Sequence, residues 1–256
     1  MKMLENRVAV VTGSSSGIGQ RIAVKLAEAG ANLIINYSGH RDGAEETLAQ
    51  VETAGSKGIF VQADVSKPSD LRTLIEKGWE AFGSLDILVN NAGVEKKADF
   101  GDVTEEDYDR VLGVNLKGSF FLTQAFVRKL REAKKTGRII NISSVHEDIS
   151  FPGFASYCAS KGGLRMLTRT LAVELGPEGF TINNVAPGAI GTPMNKSLLE
   201  DKPKLDALLA NIPLGRLGST DDVADLVVFL ASDAAAYVNG STFTVDGGLS
   251  RSYHEQ

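Results

Sequence analysis

The chain has 256 residues, 43% of them hydrophobic, and a formal net charge of -5. That length and apolar share are enough for a full core, so one α/β domain spanning 1–256 is expected. The acidic balance leaves no electrostatic footprint for nucleic acid or an anionic membrane surface, and a lone cysteine, Cys158, excludes an internal disulfide and suits a reducing cytoplasm.

Residues 7–12 are nearly all apolar and rich in β-branched side chains, a buried parallel strand. They run directly into Gly13-Ser14-Ser15-Ser16-Gly17-Ile18-Gly19. Residues 20–30 then place Ile22, Ala23, Leu26 and Ala27 on one helical face and stop at Gly30. A glycine-rich turn between strand and helix leaves backbone N–H groups free at a positive helix end, where a pyrophosphate can sit. A tight structural turn uses the same residues, and the spacing is Gly-x-x-x-Gly-x-Gly rather than Gly-x-Gly-x-x-Gly.

A second strand, 32–36, opens into Tyr37-Ser38-Gly39-His40-Arg41. In dinucleotide folds an acidic residue at this strand end takes the ribose 2′-hydroxyl, whereas an arginine suits a 2′-phosphate. No acid stands at Asn36 or Tyr37, and Ser38 with Arg41 points toward NADP, with NAD also accepted. A helix over 43–54 and a strand over 58–63 complete a βαβαβ half. Asp64 and Val65 follow; the acid either meets the adenine or caps the helix that Pro68 begins. After that helix, 68–82, a fourth strand at 85–89 stops at Asn90-Asn91-Ala92-Gly93, small residues where open parallel sheets hold their ligands.

Residues 107–133 read as one long helix with Asn115 among apolar neighbours, an amide that needs a buried partner. Its basic end, from Arg128 to Lys135, reads as a solvated helix terminus. Strand five, 138–142, ends at Ser143-Ser144. The next helix, 156–176, carries Tyr157 and Lys161 four residues apart and therefore on one face. An ammonium beside a phenol favours the phenolate and lowers its pKa, fitting Tyr157 for acid/base work; an aromatic ring covering a lysine stem has the same spacing. Cys158, between them, reads as a small buried filler. A sixth strand, 180–185, leads to Pro187-Gly188-Ala189-Ile190-Gly191-Thr192, and 194–218 is the least regular stretch, a lid or a connection. A capped helix, 220–231, and a seventh strand, 242–245, close a doubly wound parallel sheet. His40, His146 and His254 show no metal-ligand spacing, so no metal is expected. Neither a signal peptide nor a transmembrane run is visible.

Taken together, Thr12-Gly13-x-x-x-Gly17-x-Gly19, Asn90-Asn91-Ala92-Gly93, Asn115, Ser144, Tyr157-x-x-x-Lys161 and Pro187-Gly188 resemble the short-chain dehydrogenase/reductase family over nearly the whole chain. The resemblance implies a Rossmann-type fold with seven parallel strands in the order 3-2-1-4-5-6-7, helices on both faces, and a homotetramer formed through the two long helices and the last strand. It implies Tyr157 as general acid/base, Ser144 on the substrate oxygen, and Lys161 lowering the tyrosine pKa while holding the nicotinamide ribose. Asn115 would hold a water that connects the lysine to solvent. Gly13, Ser15, Gly17, Ile18 and Gly19 match cofactor positions at the first turn, as do Asp64, Val65, Asn91, Ala92 and Gly93. Pro187, Gly188, Ile190 and Thr192 match them beyond strand six. Within the family, the segments around Glu95, His146 and Asn195 are similar to bacterial glucose 1-dehydrogenases, which would set those three side chains around a sugar, although the tail 249–256 departs from that group. The expectation is oxidation of glucose or a related aldose to the lactone. The alternatives are reduction of 3-oxoacyl thioesters, with Arg128, Lys129 and Arg169 facing an acyl carrier protein, and a non-catalytic dinucleotide sensor or scaffold.

Overall fold

The computed structural model describes residues 2–193 and 199–251. Strands β1 (Val8–Val11), β2 (Asn32–Tyr37), β3 (Gly58–Gln62), β4 (Ile87–Asn90), β5 (Arg138–Ile142), β6 (Thr181–Pro187) and β7 (Thr242–Val245) form one parallel sheet. Its order is β3-β2-β1-β4-β5-β6-β7, as the resemblance implied. Successive strand side chains point to opposite faces, and the packing follows that period. Val11, Ile35, Val89 and Ile140 join one apolar cluster, while their neighbours Val10, Ile34, Leu88 and Ile139 join the other.

Helices cover both faces. On the first lie α1 (Gly17–Glu28) and α2 (Arg41–Thr53), through Ile22, Leu26 and Val51. The second is covered by α3 (Pro68–Phe82) and α5 (Ser119–Glu132), through Leu74, Ile75, Phe126 and Leu130. Burying a side chain such as Phe126 contributes about 1.5–3 kcal/mol. Since the chain winds outward from β1 in both directions, the carboxyl ends of β1 and β4 part and leave a crevice, the place where sheets of this kind hold ligands.

Three stretches differ from the sequence reading. The long helix expected over 107–133 starts earlier, because Thr104 Oγ1 accepts from Asp107 N at 3.1 Å, and it is divided. Helix α4 (Glu105–Leu112) widens into a π-turn at Gly113–Gly118 before α5 begins. The extra residue of such a turn re-aims a side chain, and here Asn115 is turned into the protein. The segment thought irregular contains a helix, α7 (Lys202–Ala210), started by Asp201, whose carboxylate accepts from Lys204 N. It buries none of its residues, which is why no apolar period announced it. The basic end of α5 is paired rather than merely solvated, with Lys129 on Glu76 at 2.7 Å and Arg131 on Glu178. Helix α6 (Ala155–Leu175) and helix α8 (Thr220–Ala231) fall where expected, the latter behind a Ser219/Asp222 capping box. Among the described residues no helix is long and apolar enough to cross a membrane, and no cluster of three or more metal-ligating side chains occurs.

Candidate active site

The first half of the crevice is made of backbone. Gly13 and Gly17 take φ of +60° and +58°, a region open to glycine at little cost. A Cβ on Gly19 would stand 2.3 Å from Asn91 Nδ2 and 2.4 Å from Gly13 O, so only glycine lets α1 start this close to β4. Helix α1 begins at Gly17, three residues before the expected start. Its N-cap, Ser16, makes no side-chain cap bond, and no acid occupies the first turn. The positive end of a 12-residue helix is thus left for an anion. Thr192 comes over this turn, 4.0 Å from where a Gly17 Cβ would be.

Polar side chains at the strand ends fix the turn. Thr12 Oγ1 accepts from Asn91 N at 2.9 Å and Ala92 N at 3.0 Å, while Asn91 Nδ2 donates to Thr12 O at 2.8 Å. Asn36 Oδ1 accepts from Gly13 N at 3.1 Å. A Cβ on Gly43 would meet Ser15 O at 2.2 Å, so α2 also packs onto the turn. Thr12, Asn36 and Gly43 were not foreseen as site residues; for Thr12 and Asn36 the available signal was a polar group closing an apolar strand, which must find a partner, and Gly43, inside α2, gave none.

Further along the rim, Ser38 is exposed with its carbonyl bonded by Gln62, and Arg41 donates to Glu45 at 2.8 Å with its guanidinium 5.4 Å over Phe60. Such an exposed i,i+4 pair is readily exchanged for a phosphate. Asp64 does not cap α3. Its carboxylate accepts from Ser66 N at 3.0 Å and Ser66 Oγ at 2.7 Å, whereas Asp70 reaches back to Asp64 N. Burial pushes the Asp64 carboxyl up, but the Ser66 bonds and Lys67 outweigh it and the net shift is downward. Val65 is buried beside it.

The second half of the crevice is made of side chains. Strand β5 leads to Ser144, whose Oγ accepts from His146 N at 3.2 Å and which favours the ionised form of the Tyr157 phenol. Helix α6 brings Tyr157 and Lys161 to the same place. Lys161 is buried, donates from Nζ to Ile142 O at 2.9 Å, and lies 5.5 Å from the Tyr157 ring centre. Burial lowers the lysine pKa to about 8, opposed by the carboxylates of Glu147 and Glu95.

The lowered tyrosine pKa expected from the sequence is not what this arrangement gives. Desolvation by the surrounding protein raises it to about 12, Ser144 opposing and the Glu95 charge adding to the rise. The physical reason is geometric: the ammonium addresses the Ile142 carbonyl and the ring, not the phenolic oxygen.

Asn115 has the buried partners its sequence position demanded. Its Oδ1 accepts from Val94 N at 2.8 Å, and its Nδ2 donates to Val94 O at 2.9 Å and Ser160 Oγ at 3.0 Å. Gly93 lies alongside, where a Cβ would stand 3.5 Å from Asn115 Oδ1 and 3.7 Å from Lys161 Nζ. Ser160, which also donates to Tyr157 O, escaped the sequence reading.

His146 stacks on Phe151 with ring centres 4.2 Å apart, and Phe151 stacks on Phe154 at 4.1 Å. Burial lowers the His146 pKa, and Nδ1 sits 3.3 Å from Ile149 O, leaving Nε2 as the acceptor of the neutral ring. Glu95 is exposed at the rim, yet protein around its carboxyl displaces enough water to raise the pKa, with Lys161 opposing. Beyond β6, Gly188 N donates to Val245 O at 2.9 Å and Ile190 pairs with Gly218. Cys158 is half-buried rather than buried. Asn195 lies outside the described residues.

A family model described as enoyl-(acyl carrier protein) reductase matches residues 13–250. The chain is 42% identical to 3beta-hydroxysteroid dehydrogenase 1 of Eggerthella lenta over 246 residues, covering 96% of this chain and 94% of the relative. It is 41% identical to a 3-oxoacyl-(acyl-carrier-protein) reductase of Staphylococcus epidermidis, over 95% of this chain and 99% of that one. Among solved structures, a gluconate 5-dehydrogenase from Burkholderia cenocepacia, in complex with NADP and tartrate, superposes with a TM-score of 0.92 at 36% identity, over 98% of this chain and 97% of that one. The chain belongs to the short-chain dehydrogenase/reductase family, and it is an oxidoreductase of that family.

Proposed function

We propose that this short-chain dehydrogenase/reductase oxidises glucose or a related aldose at C1 to the lactone, preferring NADP and accepting NAD. The observation that carries the reading is the surroundings of Tyr157: Ser144 and the Glu95 charge both act on its ionisation, and the His146 ring meets its ring edge-on with centres 6.4 Å apart. A carboxylate and a neutral imidazole accept from sugar hydroxyls, and the aromatic stack behind His146 offers a wall for the ring's apolar face.

The cofactor fits what is present. The uncapped start of α1, with Gly13, Ser15, Gly17, Ile18 and Gly19, would hold the pyrophosphate. Ser38 and Arg41 would take a ribose 2′-phosphate, and Asp64 and Val65 would flank the adenine. Asn91, Ala92 and Gly93, then Pro187, Gly188, Ile190 and Thr192, would line the nicotinamide end. When bound, an oxidised nicotinamide supplies the hydride acceptor. Ser144 would hold the C1 hydroxyl oxygen and Tyr157 would take its proton as hydride leaves C1. Lys161 would hold the nicotinamide ribose, and Asn115 would hold a water beside it. Because burial holds the phenol's pKa up, its basic form grows with pH, and aldose oxidation should speed up through the alkaline range.

A cytoplasmic homotetramer is part of this proposal, supported by exposed Phe120 and Phe121 on α5, exposed Met166 and Val173 on α6, and a free thiol. The second reading, a 3-oxoacyl-thioester reductase, draws on the Staphylococcus relative. Against it, Lys129 is already engaged by Glu76.

Formation of reduced nicotinamide by the purified protein is the test, with NADP and then NAD, on glucose, other aldoses, gluconate and a 3β-hydroxysteroid. Turnover confined to aldoses is expected. Turnover on gluconate or the steroid with none on aldoses would overturn the substrate, and silence on all with acetoacetyl thioester reduced would establish the second reading.

A further inference from the structure

Beneath the catalytic side chains, a row of polar residues crosses the sheet. Asn90 on β4, Asn141 on β5, Asn184 on β6 and Thr242 on β7 are neighbours in register. The first three are buried. Between Asn90 and Glu147 the hydrogen bonds run one way, with one branch off the row from Asn90 Nδ2 to Thr123 Oγ1 at 3.0 Å. Asn90 Nδ2 donates to Asn141 Oδ1 at 2.8 Å, Asn141 Nδ2 donates to Thr168 Oγ1 at 2.8 Å, and Thr168 Oγ1 donates to Asn184 Oδ1. Asn184 Nδ2 then donates to Glu147 Oε2 at 3.1 Å, and from the other side Thr242 Oγ1 donates to Glu147 Oε1 at 2.8 Å. At the head of the row, Asn90 Oδ1 meets no donor among the described residues.

An amide has a donating and an accepting end, but a carboxylate only accepts. A row that ends on a carboxylate must therefore turn every donor toward it, and the unpartnered acceptor is left at the far end, as observed. We propose that Glu147 is a positioning residue, the buried anion that orients this row and clamps the turn bearing Ser144 against β6, β7 and α6.

The clamp is short. Glu147 N donates to Ser144 O at 3.0 Å, the Glu147 side chain is 3% exposed, and Arg165 of α6 closes on it, with Nε 3.5 Å from Oε1 and NH1 2.6 Å from Asp148. Of the strands joined by the row, β4 runs out into Asn91, β5 into Ser143 and Ser144, and β6 ends at Pro187, so the same bonds set the relative heights of the cofactor and catalytic segments. Glu147 also acts on Lys161 through space, favouring its protonated form against burial. The titratable or charged groups facing Glu147 are Arg165 and Lys161 from α6 and Asp148 from its own turn. Lys161 faces Glu95 and Tyr157 as well, while β6 and β7 present only Asn184 and Thr242, which do not titrate. The proposal rests on Ser144, Tyr157 and Lys161 being the catalytic set.

The test compares Glu147→Gln, Glu147→Asp and Thr242→Val in the full-length protein, reading kcat, KM for the nicotinamide cofactor, the pH profile of kcat and the melting temperature. Glu147→Gln puts an amide nitrogen against a donor and removes the charge. It should lower kcat about ten- to a hundredfold, as a displaced catalytic group does, and move the Lys161 ionisation in the kcat profile down by about one pH unit. Glu147→Asp should lower kcat with the profile unmoved, since the charge is kept. Thr242→Val should lower kcat by a few-fold, also without a shift. Wild-type kcat and profile in Glu147→Gln overturn the proposal. So does equal loss of melting temperature in Gln and Asp variants that turn over normally when folded. If Glu147→Gln does not fold, wild-type kcat in the other two overturns it and lowered kcat with an unmoved profile supports it. Tyr157→Phe beside them separates the failures: persistent turnover there overturns the catalytic set and this proposal with it, whereas its loss beside an unaltered Glu147→Gln overturns the role of Glu147 alone.

Discussion

The two halves of the crevice are built from opposite materials. After β1 the chain offers glycine turns, uncapped helix N–H groups and almost no charge. After β5 it offers a buried ammonium, a half-buried phenol and a carboxylate within their electrostatic reach. The first half works by shape: a single methyl group is a large disturbance, whereas ionisation hardly matters. The second works by charge in a dry setting, where the same side chains in water would have ordinary pKa values. Substitutions that change only volume and substitutions that change only charge should therefore separate the halves.

The largest effect is expected from Tyr157→Phe, which removes one oxygen and leaves the ring. Turnover should fall by roughly a thousandfold, the range of a lost general base, while cofactor affinity, set mostly in the other half, stays within about threefold. Steady-state kinetics with a cofactor titration by fluorescence checks both. Residual turnover within tenfold of wild type, or a matching loss of cofactor affinity, breaks the division.

The shape half was the more legible in the sequence. Glycines at 13, 17 and 19 directly after an apolar run, and small residues at 91 to 93, announce a close backbone approach because no other residue types permit it. The same reasoning fixed all seven strands, whose β-branched runs have few other fates. The charge half was legible in its members but not in its electrostatics. Tyr157 and Lys161 at four-residue spacing meet as expected, yet the sequence cannot say that the ammonium turns to the Ile142 carbonyl, or that burial outweighs it at the phenol. Glu147 was passed over for a like reason: its partners, Asn184 and Thr242, are 37 and 95 residues away and become neighbours only through sheet register. The π-turn at Asn115 and the helix α7 escaped because neither shows in hydrophobic period.

A charge-only change in the second half comes next in size. Burial lowers the Lys161 pKa from 10.5 to about 8, so between those values the unfolded chain binds the extra proton and the folded one does not. Stability must rise with pH across that window, and the full cost of the buried charge, roughly 3 kcal/mol, is present below it. Lys161→Met has no such proton. Its advantage in melting temperature over wild type should be greatest near neutrality and shrink as pH rises from 8 to 10.5, while its turnover is lost at every pH. An advantage that stays constant with pH would mean that the lysine is not held against its charge.

The smallest changes sharpen the shape half. In Gly19→Ala the better helix propensity of alanine is worth about 1 kcal/mol, but the new Cβ would stand 2.4 Å from Gly13 O, a backbone atom that cannot rotate away. Overpacking of that kind costs about 1–3 kcal/mol, so the net change should be a modest destabilisation. Cofactor affinity should fall about tenfold, because the displaced atoms belong to the turn itself. At Gly39 a Cβ would meet nothing within 4 Å and φ is not left-handed. Gly39→Ala, an identical chemical change twenty residues on, should stay within about 0.5 kcal/mol of wild type with affinity unaltered. Thermal melts and cofactor titrations of the pair decide the matter: equal effects at both sites would mean that the close approach at Gly19 is not what shapes the cofactor end.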